Sequence, residues 1–264
     1  MVSSKRIWLI GAGSGIGREL ALKLAALGNQ VIISGRTLST LESVAAELSQ
    51  RAVTGNGRIL PMVCDVTSDE QVATVTAYID RLSGGVDMLI FCAGTCEYVD
   101  DAELSTDLFR RVYDVNLFGM VNAVAAVLPD MKKAAASGGD NPQIVGVASL
   151  SAIVGLPRAE AYGSSKAAAS YFLESLRLDL HRFHVDVSVV NPGFVKTPMT
   201  DANDFPMPFL MQPDDAADCI INGIAKRKRT INFPRRLTWS LRLASMFPSL
   251  WYGVIGPRLA RRDG

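Results

Sequence analysis

Ile7-Trp8-Leu9-Ile10-Gly11-Ala12-Gly13-Ser14-Gly15-Ile16-Gly17 reads as a short apolar strand, a glycine loop and the opening of a helix. Past Gly17, Leu20, Leu24 and Leu27 recur at helical spacing until Gly28. A strand apolar at every position is buried on both faces, as in a parallel sheet covered by helices on each side. Glycines at 11, 13, 15 and 17 let the backbone turn tightly and approach an anionic group. The N–H groups and positive dipole end of the following helix favour a pyrophosphate there. Gly11, Gly13, Ser14, Gly15, Ile16 and Gly17 are therefore candidate cofactor contacts.

Outward from this stretch the same unit repeats about every 30 residues, the size of a βα unit. Further strands are expected at Gln30 to Ser34, Ile59 to Cys64, Met88 to Cys92, Ile144 to Ala148, Val185 to Asn191 and Thr230 to Phe233. Ser39 with Glu42, and Ser68 with Gln71, have capping-box spacing at the starts of two of the helices between them. The pattern predicts one α/β domain, a Rossmann-type doubly wound parallel sheet of about seven strands with helices on both faces. Ligands then sit beyond the carboxyl ends of the strands, where the strand order reverses.

The end of the second strand selects the nucleotide. A site for NAD places Asp or Glu there to bind ribose hydroxyls, but the chain reads Ser34-Gly35-Arg36-Thr37, with no acid before Glu42. Arg36 offers a planar fork of donors to a 2′-phosphate that an acid would repel. The expected cofactor is NADP rather than NAD, with Ser14, Arg18 and Thr37 as helpers to Arg36.

Composition sets the outer bounds. The 264 residues are 48% apolar and 20% charged, which excludes disordered, collagenous and disulfide-scaffold classes. Net charge is +1, yet from Lys226 onward ten bases face only Asp263, giving +9, while the first 225 residues carry −8. Cys64, Cys92, Cys96 and Cys219 form no CxxC pair, and a reduced, cytoplasmic setting is expected. The apolar run after Lys5 and Arg6 is too short for the core of a signal peptide. No run of apolar residues reaches the length of a membrane span. His181 and His184 have no carboxylate or cysteine cluster beside them, so no metal is expected.

A second informative stretch is Tyr162-Gly163-Ser164-Ser165-Lys166, which puts a phenol and an ammonium on one helical face. A close cation favours the phenolate and lowers the pKa of a tyrosine, making it useful as an acid or base. Ser149 lies 13 residues before Tyr162, at the end of a strand, where its hydroxyl can bind a substrate oxygen. With these residues the chain resembles the single-domain short-chain dehydrogenases/reductases. Their Gly-xxx-Gly-x-Gly loop matches Gly11, Gly15 and Gly17, and their Tyr-xxx-Lys matches Tyr162 and Lys166. Their catalytic serine matches Ser149, with Ser151 as a minor rival, and their catalytic asparagine matches Asn116.

The resemblance covers about residues 5–233. It implies that Asp65 and Val66 contact adenine, that Ala93 and Gly94 also touch the cofactor, and that Pro192, Gly193, Val195 and Thr197 lie on the nicotinamide side. It further implies hydride transfer between nicotinamide and a carbonyl or carbinol carbon. In that reaction Tyr162 moves the proton, Lys166 lowers its pKa and binds ribose, Ser149 polarises the carbonyl, and Asn116 holds a water. The fourth strand departs from the family, reading Phe91-Cys92-Ala93-Gly94 where Asn-Asn-Ala-Gly is usual, which puts local rigidity in doubt.

Residues 1–233 are read as the catalytic domain, with 200–213 as a substrate lid and 234–264 as a basic, apolar extension. Ala202, Phe205, Met207, Phe209, Leu210 and Met211 suggest an apolar pocket. In the extension Leu237, Leu241 and Ala244 form a stripe, which Trp239, Leu243, Met246 and Phe247 widen nearly all round. Two readings follow: an anchor on an anionic membrane surface, or a cover over the cleft or an oligomer contact. The expected partners are a small hydrophobic carbonyl or alcohol substrate and further copies of the chain, as a homo-oligomer, with no nucleic acid. The alternative from another class is an NAD(P)-binding regulator or scaffold with little turnover.

Overall fold

A computed structural model of the chain describes residues 2–51, 53, 55–100 and 102–259. Seven strands, β1 (Arg6–Ile10), β2 (Gln30–Gly35), β3 (Arg58–Val63), β4 (Met88–Phe91), β5 (Gln143–Val147), β6 (Asp186–Pro192) and β7 (Thr230–Phe233), form one sheet in the order 3-2-1-4-5-6-7. Every pairing is parallel. Each strand begins and ends within one residue of its sequence expectation, because unbroken apolar runs between turn residues leave little freedom in register.

Helices α1 (Gly15–Ala26), α2 (Leu38–Leu48) and α6 (Pro213–Ala225) cover one face. Helices α3 (Asp69–Ser83), α4 (Thr106–Ala136) and α5 (Glu160–Leu180) cover the other. The strands alternate between the two cores: Ile7 and Leu9 of β1 enter the first, Trp8 and Ile10 the second. The Trp8 indole N–H is satisfied by Ser34 Oγ at 3.0 Å inside the sheet. α4 is long and apolar enough to span a membrane by length and composition. Its Met120, Ala123, Val124, Val127 and Met131 are packed into the second core, which accounts for that apolarity.

The two start signals are met in part. α3 begins behind Ser68, which accepts from the Gln71 N–H, but the Gln71 side chain accepts from Asp65 N at 2.9 Å rather than closing a capping box. α2 instead starts at Leu38 behind Thr37, so Ser39 lies inside its first turn and makes no capping box with Glu42. Helix α7 (Arg235–Met246) follows β7, and residues 248–259 continue as further helical turns. Of the ten bases and one acid counted in the tail, Arg261, Arg262 and Asp263 lie outside the described residues.

Leu237 and Leu241 of α7, with Trp251 and the half-buried Ala244, pack on Leu150, Val154 and Phe194. The Trp251 indole donates to Gly155 O at 3.0 Å, and Gly155 N donates to the Tyr252 hydroxyl at 3.1 Å. The expected stripe is thus the buried side of α7, and it covers the turn that follows Ser149.

Candidate active site

The strand order reverses between β1 and β4, and a cleft of about 710 Å³ opens there at the carboxyl ends of the strands. The glycine loop forms one wall. Gly11 has φ +85°, and a Cβ there would lie 2.6 Å from Ala93 Cα. A Cβ on Gly17 would press onto the Gly11 carbonyl oxygen, 2.9 Å from its carbon. These two glycines let β1, β4 and α1 meet closely. At the start of α1 the Ser14 side chain makes no cap bond, and the residues from Ser14 to Gly17 line the cleft. An uncapped helix start beside a backbone cradle fits the pyrophosphate of a nicotinamide dinucleotide.

The cleft continues past the end of β2 to Arg36, Thr37 and Thr40. Arg36 is exposed and has no ion-pair partner among the described residues. Asp65 and Val66 sit opposite. The Asp65 carboxylate accepts from Thr67 N at 3.0 Å and Thr67 Oγ1 at 2.8 Å, which, with the charge of Arg36, holds it below the usual carboxylate range. Arg18, expected to help Arg36, does not line the cleft. Its guanidinium is taken by Glu19 and Glu47, in a network shared with Arg51.

At the other end Ser149, Tyr162 and Lys166 line the same cleft with Ala93, Gly94, Pro192, Gly193, Val195 and Thr197. Ser149 ends the β5 crossing and caps a short turn by accepting from Ser151 N at 3.1 Å. Ser151, the rival, has its own hydroxyl buried without a partner and lies off the cleft wall. Lys166 is buried, its Nζ donating to Val147 O at 3.0 Å and standing 5.9 Å from the centre of the Tyr162 ring.

Asn116 is fully buried behind the wall, in a π-helical turn, Asp114–Phe118, within α4. Its Nδ2 donates to Thr95 O and Ser165 Oγ, each at 2.9 Å, and its Oδ1 accepts from Thr95 N at 2.8 Å. A Cβ on Gly94 would lie 3.1 Å from Lys166 Nζ and 3.2 Å from Asn116 Oδ1, so both groups crowd that glycine. The amide therefore ties Thr95 to α5.

Charge in the pocket runs against the sequence expectation for the tyrosine. Burial pushes the Tyr162 phenol up to about 12, helped by Cys96 and Cys92 and opposed by its hydrogen bond with Ser149. Burial also brings the Lys166 ammonium down to about 8. Both shifts are set first by burial, which disfavours the charged form of each group. Cys92, standing where the family usually has asparagine, is a neutral thiol pushed up to about 11 by burial.

The segment 200–210 is pinched at its base, where Met211 N donates to Phe194 O at 3.0 Å and Lys196 N to Met211 O at 2.9 Å. Thr197 and Thr200 form a reciprocal capping box over Pro198–Asp201. Two residues that sequence reading missed hold this segment. Tyr98 donates to Asn203 Oδ1 at 2.6 Å and meets the Phe205 ring edge-on at 5.7 Å. Arg158 bridges Asp100 at 2.6 Å and Asp204 at 2.7 Å, above the Tyr98 ring. The one available signal was position: Tyr98 follows the carboxyl end of β4. Of the six apolar side chains expected to line a pocket, Phe205 and Met207 are half-buried, and Met211 belongs to the bridge. Ala202, Phe209 and Leu210 are exposed, because the short loop cannot turn all of them inward. No group of metal-ligating residues occurs among the described residues.

The chain matches the short chain dehydrogenase family model over residues 5–205. An uncharacterized oxidoreductase of Myxococcus xanthus is 34% identical over 258 residues, 98% of each chain. A fatty acyl-CoA reductase of Acinetobacter baylyi is 31% identical over 93% of this chain and 79% of its own. A short chain dehydrogenase/reductase of Burkholderia phymatum, solved with NAD, superposes with a TM-score of 0.83 at 23% identity, covering 94% of this chain and 95% of the other. A family model matched over most of the chain and a relative 34% identical along nearly its whole length show that the chain belongs to the short-chain dehydrogenase/reductase family.

Proposed function

We propose that this oxidoreductase, whose family acts on CH–OH and C=O groups with a nicotinamide dinucleotide, is an NADP(H)-dependent carbonyl reductase for a hydrophobic substrate. The observation that carries the reading is that Ser149 and Tyr162 line the same cleft as the glycine loop and the exposed Arg36. The Arg36 guanidinium makes no ion pair among the described residues, which leaves its planar fork open to a 2′-phosphate. The bound nicotinamide supplies or accepts the hydride. Ser149 donates a hydrogen bond to the carbonyl oxygen, and Tyr162, protonated at neutral pH, hands its proton to that oxygen as the alcohol forms. Lys166 holds the ribose side of the cofactor, and Asn116 fixes the Thr95 backbone beside it.

In this reading residues 1–233 are the catalytic domain, and 200–213 form the lid, whose half-buried Phe205 and Met207 suit an apolar substrate beside the cleft. Four free cysteines suit a cytoplasmic location. The exposed Tyr171 and Leu178, one heptad apart on α5, favour a homo-oligomer.

Initial rates with NADPH and NADH over aldehydes and ketones of rising chain length test the proposal. Turnover is expected with NADPH, rising with chain length. Arg36→Ala is expected to raise the KM for NADPH about tenfold or more while leaving that for NADH nearly unchanged, as for loss of one charge-assisted contact. An unchanged preference in that variant would remove Arg36 from cofactor selection. Absence of turnover across the panel, with dinucleotide binding intact, would leave a nucleotide-binding regulator instead.

A further inference from the structure

Away from the catalytic cleft, β7 closes the sheet as its edge strand, and a second groove of about 540 Å³ runs between it, the end of α6 and α7. Its rim carries Lys226, Lys228, Arg235 and Arg242, and no Asp or Glu lines it. All four cations are exposed, and none has an ion-pair partner among the described residues. By contrast Arg227, between two of them, is paired with Asp186, and Asp218 on α6 is paired with Lys23.

Apolar side chains stand among these charges. With Leu237, Leu241 and Ala244 turned to the protein, helical spacing puts Arg235, Trp239, Arg242, Leu243 and Met246 on the opposite face of α7. Trp239 and Met246 are each 71% exposed and Leu243 58%. Trp239 itself lines the groove between Arg235 and Arg242. Exposed tryptophan and aliphatic side chains interleaved with unpaired arginines are what a helix lying in a lipid interface requires.

We propose that the outer face of α7 and the four-cation groove dock on an anionic lipid surface. Trp239, Leu243 and Met246 enter the headgroup boundary, while Lys226, Lys228, Arg235 and Arg242 meet lipid phosphates. A second copy of the chain is the disfavoured occupant. A closed two-fold contact sets a patch against itself, here four cations against four with no acid between them.

Tryptophan fluorescence of the full chain gives a direct readout, because Trp8 is fully buried and Trp251 is 7% exposed, leaving Trp239 as the solvent-facing indole. Vesicles of equal parts phosphatidylglycerol and phosphatidylcholine are expected to shift the emission to the blue and carry the protein in flotation; pure phosphatidylcholine vesicles are expected to do neither, and added salt to reverse both. Trp239→Phe should abolish the spectral shift and keep flotation. Arg235→Gln with Arg242→Gln should weaken partition about fivefold per charge removed. No flotation on the mixed vesicles, or equal flotation on pure phosphatidylcholine, overturns the proposal. So does a shift produced equally by soluble heparin, or one already present in lipid-free protein that sediments as a dimer through this face.

Discussion

Tyr162→Phe is expected to lower kcat for carbonyl reduction by about 10²- to 10⁴-fold, the usual worth of a positioned general acid, with dinucleotide affinity unchanged within about twofold. Phenylalanine keeps the ring that sits against Lys166 and deletes only the hydroxyl that meets Ser149. A companion pH profile separates the proton carrier from its neighbour. The phenol, raised by burial to about 12, retains its proton across the working range, so loss of the acid form does not limit reduction. The Lys166 ammonium, lowered by burial to about 8, loses its charge as pH rises through that value. Reduction by the wild type is therefore expected to fall above about pH 8. Stopped-flow single turnovers of NADPH oxidation would measure both effects, and a Phe variant within tenfold of wild type would take Tyr162 out of the proton transfer.

Gly17→Ala is the second large effect, and it acts on the scaffold. The added methyl meets the Gly11 carbonyl oxygen and lies 2.9 Å from its carbon, so backbone must move. Overpacking of this kind costs about 3 kcal/mol at the upper end of its usual range, several degrees in Tm for a chain of this size. Because Gly11 is itself held against Ala93, the movement reaches the floor of the cleft. Calorimetry is expected to show the lower Tm, and titration with dinucleotide a Kd raised about tenfold or more. A variant with wild-type Tm and affinity would show that α1 can shift away freely, contrary to the packing of Leu20, Leu24 and Ala25 in the core.

Sheet, strand boundaries and glycine loop were legible because each rests on local chemistry: apolar runs, turn residues and backbone that must come close. Where several side chains compete, the sequence was less informative. Arg18 looked like a phosphate ligand until Glu19 and Glu47 claimed it, and no spacing rule ranks those partners. The π turn around Asn116 adds one residue to a helical turn, which a hydrophobic period does not register. The Tyr162 phenol was expected to be lowered by Lys166, yet how far burial outweighs a neighbouring charge depends on surrounding atoms that only the fold supplies. Tyr98 and Arg158 escaped notice because their partners, Asn203 and Asp204, lie 105 and 46 residues away in sequence.

The packing of α7 also bears on biosynthesis. By the time β7 has left the ribosome, the glycine loop, Asn116, Ser149, Tyr162 and Lys166 have all been made. Yet Leu150 and Val154, directly after Ser149, still lack Leu237, Leu241 and Trp251, and a Cβ on Gly193 would stand 2.8 Å from Leu237 Cδ2. A nascent chain therefore holds every one of these side chains before it can fix the turn after Ser149. Chains truncated after Phe233 should accordingly show that turn open to protease, where chains that include α7 and Trp251 are protected.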